Sequence, residues 1–268
     1  MKQLLKRSLE RLPGPLPLLT VEAVQYLRHP HVRSRKRLQR RVIRRIDRPA
    51  MVAQGPFRGM RYVSLSFGSA WLPKLLGTYE CELSPAVESI CQARCDRILD
   101  IGAAEGYYAV GMALRNPGAQ LVGFELSRAA RSVLRKLARC NGVSGRIKLF
   151  GRCTPERLRA TLAGAVRPAV ICDCEGAEDE LLRPDRVPPL GRALVLVEIH
   201  DGMVPGVARR VAERFAATHE VRVIESRERG CEDLPAGYDL PPEEAAEAMY
   251  ENRRHARWFF MTPREPWA

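Results

Sequence analysis

The sequence predicts an α/β protein built on a doubly wound, mostly parallel, seven-stranded sheet, and three observations carry that prediction. Short apolar runs alternate with amphipathic helical segments along the middle of the chain. Residues 193–199, ALVLVEI, are apolar at nearly every position, as a strand covered on both faces must be. Residues 98–106, ILDIGAAEG, run from a strand through a glycine-framed turn into a helix, which is a β-loop-α unit.

The elements follow in order. The first strand, from Arg97, ends in Asp100; Gly102 and Gly106 frame the turn, and an amphipathic helix occupies residues 107–114. The second strand, residues 121–125, ends in Glu125, and a helix over residues 128–141 turns Val133, Leu134, Leu137 and Ala138 inward before Asn141-Gly142. Further strands are expected at residues 146–150, 169–173, 193–199, 221–224 and 258–261, with helices at 155–162 and 207–218. A polar excursion at residues 225–257 includes an expected helix at 242–254 and is placed to cover a substrate. Residues 49–90 read as a lead-in beside the sheet, with residues 68–82 able to lie across its ligand-binding edge.

Composition divides the chain. At 268 residues and 46% hydrophobic content it can bury one full core. Of the net charge of +13, residues 1–48 carry +11, from 14 Lys/Arg against 3 Asp/Glu. The basic character therefore belongs to an arm, residues 1–48, ahead of a main domain at 49–268 with its core at 91–224 and its last strand at 258–262. The longest apolar stretch, residues 16–27, contains Pro17 and Glu22 and falls short of the ~20 residues that span a bilayer. Glu10, Pro13 and Pro15 interrupt any signal-peptide core, so a cytoplasmic location is expected. The eight cysteines lack the density of a disulfide scaffold, and the pairs Cys91/Cys95 and Cys172/Cys174 read as small core residues, since no second pair with zinc spacing accompanies them.

The glycine turn narrows the ligand. A dinucleotide turn brings bare amides to a pyrophosphate, and a carboxylate there would repel it. Here the spacing is D-x-G-x-x-x-G with Asp100 inside the turn. S-adenosylmethionine has no phosphate and carries a sulfonium and an ammonium, so an acid beside open backbone suits it by charge. Glu125, at the tip of the second strand, can accept hydrogen bonds from both ribose hydroxyls of an adenosine. The expected cofactor contacts are Asp100, Gly102, Ala103, Gly106, Glu125, Leu126 and Asp173.

With Asp100 to Tyr108 (DIGAAEGYY), Phe124-Glu125, Cys172 to Glu178 (CDCEGAE) and Glu198-Ile199-His200 in order, the chain resembles the FkbM-type branch of class I S-adenosylmethionine-dependent methyltransferases over roughly residues 77–201. The resemblance implies a Rossmann-like fold and methylation of a hydroxyl on a small molecule, sugar or lipid-linked acceptor. Glu105 stands in the turn where that family often carries an apolar residue.

In a doubly wound sheet, ligands collect at the carboxyl ends of the strands, which gathers Asp173, Glu198 and His200. Glu198 and His200 are two apart and share a face. His200 is the preferred general base, oriented by Asp173 or Glu198; the alternative makes Asp173, Glu198 and His200 ligands of a divalent metal. Glu175 and Glu178 read as caps at a helix start.

The arm has apolar stripes at Leu4, Leu5, Leu9 and Leu12 and at Leu38, Val42 and Ile46, with Tyr26 its only Phe, Tyr or Trp. That pattern suits an anionic membrane surface, at the inner face of the membrane, better than stacking on nucleic acid. A reading of a different class is a methyltransferase-like binding protein tethered by this arm to membrane or nucleic acid.

Overall fold

The computed structural model describes residues 50–63, 66–67, 69–251, 256–265 and 267, so the basic arm at residues 1–48 lies outside the described residues. Among the described residues seven strands form one sheet: β1 (Arg97–Ile101), β2 (Gln120–Phe124), β3 (Ile147–Phe150), β4 (Pro168–Cys172), β5 (Leu194–Ile199), β6 (His219–Glu225) and β7 (Arg257–Pro263). Their order is β3-β2-β1-β4-β5-β7-β6. The first five pair in parallel, and β7 enters antiparallel between β5 and β6. Arg257 stands opposite both Ile199 and Glu225, so the chain leaves β6 and returns beside it at the same end of the sheet. This is the doubly wound, mostly parallel seven-stranded sheet that the alternating pattern predicts.

Burial follows position in that order. Every residue of β4 and β5 is buried, while the edge strand β3 alternates between half-buried and exposed positions and the edge strand β6 is exposed at four of its seven residues. Alternate side chains of the central strands feed two separate cores. Ile98, Leu121, Ile171, Leu196 and Phe260 face one layer, and Leu99, Val122, Val170, Val197 and Phe259 the other.

The helices are α1 (Trp71–Leu76), α2 (Ser84–Gln92), α3 (Tyr107–Arg115), α4 (Arg128–Cys140), α5 (Pro155–Leu162), α6 (Glu178–Leu181), α7 (Val207–Phe215) and α8 (Pro242–Ala248). Side-chain oxygens start two of them: Ser127 accepts from the Ala130 N–H before α4, and Thr154 from the Arg157 N–H before α5. The lead-in lies on the face of the first core. Phe57 sits against Gly111 of α3, where an added Cβ would stand 2.4 Å from its ring.

Two helices are shorter than their periodicity predicts. α7 stops at Phe215, where Thr218 turns back to the Phe215 carbonyl. α8 stops at Ala248, because Glu251 is drawn out to Arg229 at 2.8 Å. Arg229 also pairs with Glu82 at 2.5 Å and donates to the Thr78 carbonyl. The segment after β6 thus clamps the lead-in through an ion-pair cluster largely withdrawn from water. No helix among the described residues is long and apolar enough to cross a membrane.

Candidate active site

β1 lies between β2 and β4, so the chain leaves its carboxyl end in opposite directions for the two neighbours. A crevice opens at such a switch point, and the predicted residues surround it. Asp100 is nearly fully buried near the end of β1. One of its oxygens accepts the Ala109 N–H in the first turn of α3, and the other, Oδ2, has no partner among the described residues. Burial pushes its carboxyl up to about 7; Asp173 and Glu125 add to the shift, and the Ala109 N–H opposes it.

Gly102 has φ +88°, and a Cβ there would stand 1.7 Å from the Asp173 carbonyl oxygen. The turn after β1 and the chain leaving β4 therefore touch backbone to backbone, with the Asp173 N–H donating to the Ile101 carbonyl at 2.9 Å. Gly102 and Ala103 both donate to the Phe124 carbonyl, and Gly106, at φ +99°, begins α3. Glu125 is fixed from both sides: Oε2 accepts the Ala104 N–H at 2.9 Å and Oε1 the Ser127 N–H at 2.7 Å. A carboxylate has about four lone-pair sites, so two such bonds orient it and leave acceptor capacity. Beside it Leu126 is 68% exposed and Phe150 42% exposed, an unusual amount of apolar surface at the carboxyl ends of β2 and β3.

Glu105 has a role that its place in the turn does not disclose. It is fully buried, and Oε1 receives Lys74 Nζ at 2.5 Å, Tyr62 OH at 2.6 Å and Ser66 Oγ at 3.0 Å. Oε2 receives the Phe67 N–H at 2.9 Å. Burial acts to raise its carboxyl, but the charge and hydrogen bond of Lys74 outweigh it, and the group lies below the ordinary glutamate range. Lys74, equally buried, stands over the rings of Tyr79 and Tyr107 at 4.8 and 5.6 Å. Tyr62, Ser66, Phe67 and Lys74 are in this way tied to the turn after β1.

On the other side of the crevice, one imidazole gathers three carboxylates. His200 Nδ1 meets Glu178 Oε1 at 2.7 Å, and Nε2 lies 3.7 Å from Asp173 Oδ1 and 3.9 Å from Glu198 Oε2. Asp173, Glu198 and His200 are brought together as predicted, but Glu178 is the hydrogen-bonded partner. Glu178 is fully buried at the start of α6, and the Gly176 N–H also donates to Oε1. Burial of His200 disfavours its charge, yet the Glu178 hydrogen bond and charge, reinforced by Glu198 and Asp173, push it up to about 9. The strand β4 ends at Cys172, the chain turns at Glu175-Gly176, and the Cys172 and Cys174 sulfurs lie 3.4 Å apart, both as free thiols.

No protein-family profile matches the chain, and no curated protein matches it. Among solved structures, a cofactor-bound protein from MTB is similar at 14% identity and a TM-score of 0.46, over 93% of this chain and 98% of that one. An O-methyltransferase from Bacillus cereus in complex with SAH is similar at 12% identity and a TM-score of 0.45, over 91% and 97%. The O-methyltransferase of tomaymycin synthesis from Streptomyces achromogenes, in complex with SAM, is similar at 16% identity and a TM-score of 0.42, over 67% and 80%. Similarities this distant do not extend any activity to the present chain.

Glu178, Glu105 and Lys74 escape prediction as site residues for one reason. Each acts through a partner 22 or 31 positions away in sequence, Glu178 with His200 and Lys74 with Glu105. A signal for Glu105 exists: a charged residue in a turn whose neighbours are all small or apolar must either face water or meet a counter-charge.

Proposed function

We propose that the chain is an S-adenosylmethionine-dependent methyltransferase acting on a hydroxyl of a small molecule, sugar or lipid-linked acceptor. The observation that carries this reading is the buried Asp100 oxygen with no partner among the described residues, set beside Gly102 and across from Glu125 at the switch point. Cationic groups of the cofactor suit Asp100 and Asp173, the ribose hydroxyls suit Glu125, and Leu126 and Phe150 offer apolar surface to an adenine ring. When bound, the cofactor supplies an electrophilic methyl group.

The chain's own residues do the rest. Asp173, Glu198 and His200 receive the acceptor hydroxyl, and in the ion-free protein the neutral form of His200, favoured only as the pH approaches about 9, takes its proton at Nε2, with Glu178 positioning the ring. Glu175 stands exposed at the same edge, so the carboxylates there disfavour an anionic acceptor.

Calorimetry tests the cofactor. Wild-type protein is expected to bind S-adenosylmethionine and S-adenosylhomocysteine, and Glu125→Ala to weaken both roughly 10- to 100-fold, the worth of one or two charge-assisted hydrogen bonds. Absence of binding by the wild type overturns the reading, and NADH binding in its place points to hydride transfer.

Residues 1–48, with a net charge of +11 and two apolar stripes, are proposed to hold the enzyme reversibly at an anionic membrane surface. Each Lys or Arg near such a surface contributes about 1 kcal/mol, and the stripes add insertion that nucleic acid cannot use. Deleting residues 1–48 is expected to abolish sedimentation with anionic liposomes and leave S-adenosylhomocysteine binding intact. Unchanged sedimentation, or wild-type retention on duplex DNA without liposome binding, refutes the membrane role.

A further inference from the structure

We propose that Asp173, Glu175 and His200 form a divalent-cation site at the acceptor edge of the crevice. This rests on the methyltransferase reading and refines it. One ligand atom from each of the three residues lies within 4.8 Å of the others, a spacing that a single ion can close. The set differs from the one the sequence suggests: Glu175, in the turn that follows β4, takes the place expected for Glu198.

A second observation is independent of that triangle. Glu178, fully buried, holds His200 Nδ1 at 2.7 Å and so turns Nε2 toward the carboxylates. A carboxylate behind the far nitrogen of an imidazole is the arrangement that orients metal-binding histidines and raises their basicity. The other oxygen of Glu178, Oε2, is buried with no partner among the described residues. Asp173, Glu178 and Glu198 share this one imidazole as an ion-pair partner, and Glu175 adds a further negative charge beside it. A divalent ion on Nε2 replaces one proton with two positive charges where the carboxylates converge.

Two carboxylates and one imidazole suit ions such as Mn²⁺, Fe²⁺ or Zn²⁺ better than soft, thiolate-seeking metals. An ion there lowers the pKa of a hydroxyl brought to it. The proton passes from the hydroxyl oxygen to the Glu198 carboxylate, which stands 3.9 Å from Nε2 and outside the ligand set. In the ion-bound enzyme His200 holds the cation and does not accept the proton.

Mn²⁺ is the probe, because its free aqueous ion gives a six-line electron paramagnetic resonance signal that is lost on binding. Full-length protein stripped with chelator is titrated with MnCl₂, with and without S-adenosylhomocysteine. One ion per chain is expected. The exposed Glu175→Gln should weaken Mn²⁺ binding at least 10-fold, and Glu178→Gln roughly 10- to 100-fold, as for loss of an outer-sphere partner. S-adenosylhomocysteine affinity should hold in Glu175→Gln, which shows that this variant is folded. No Mn²⁺ binding by protein that binds S-adenosylhomocysteine overturns the cation site alone, as does Mn²⁺ binding that Glu175→Gln leaves unchanged. Loss of S-adenosylhomocysteine binding by the wild type overturns the methyltransferase reading instead.

Discussion

Lys74→Met is expected to lower the thermal midpoint of the cofactor-free protein by about 6–20 °C. Removing one partner of a buried ion pair strands the other charge, which costs about 3–5 kcal/mol, and a domain of this size loses about 2–4 °C for each kcal/mol. The stranded group is Glu105, fully buried with its Oε1 on Lys74 Nζ. The double variant Lys74→Met/Glu105→Leu should recover much of the loss, since an apolar pair of similar volume replaces a buried ion pair at little cost. Scanning calorimetry reads both. A single-variant shift below about 2 °C would show that water or another cation reaches Glu105, and that the pair does not hold the lead-in to the turn.

His200→Ala is expected to cut methyl transfer by roughly 10²- to 10⁴-fold, the usual contribution of a positioned acid–base group. S-adenosylhomocysteine affinity should change little, because His200 lies on the β5 side of the crevice while Asp100 and Glu125 lie at the carboxyl ends of β1 and β2, inside the first and just past the second. The rate is followed as transfer of label from methyl-labelled S-adenosylmethionine into acceptors of a cell extract. Near-normal transfer by the variant would remove His200 from the chemistry, whether as proton acceptor or as cation ligand. A loss of cofactor binding in parallel would mean instead that the imidazole supports the fold.

The sheet was legible in the sequence because its central strands are covered on both faces. Such burial favours apolar side chains, with Glu198 near the carboxyl end the exception, and the runs at 168–172 and 194–199 stand out without reference to anything distant. The glycine turn after β1 was legible for a related reason. A strand, an acid and two glycines at fixed spacing describe local backbone, and Gly102 meets the demand directly with φ +88°. Direction and reach were not local. The antiparallel entry of β7 depends on where the chain returns after a long excursion, which alternation of strands and helices does not encode. α8 ends six residues before the predicted limit because a buried arginine from elsewhere captures Glu251. Glu178 reads as a helix-start acid from its neighbours alone, and only the fold brings it to His200.

The contact between Gly102 and the Asp173 carbonyl has a consequence for how such a protein can diverge. Because the two loops meet through main-chain atoms, neither can shift or lengthen at that point without displacing the other. The two sides of the crevice cannot be remodelled as separate modules by moving backbone there. New ligand preferences must arise from side chains beside the joint, such as the exposed Glu175 and Met203 and Val204 next to Gly176, or from the segment after β6 that leans on the lead-in. Innovation is confined to the rim, while the hinge between the two half-sites stays fixed.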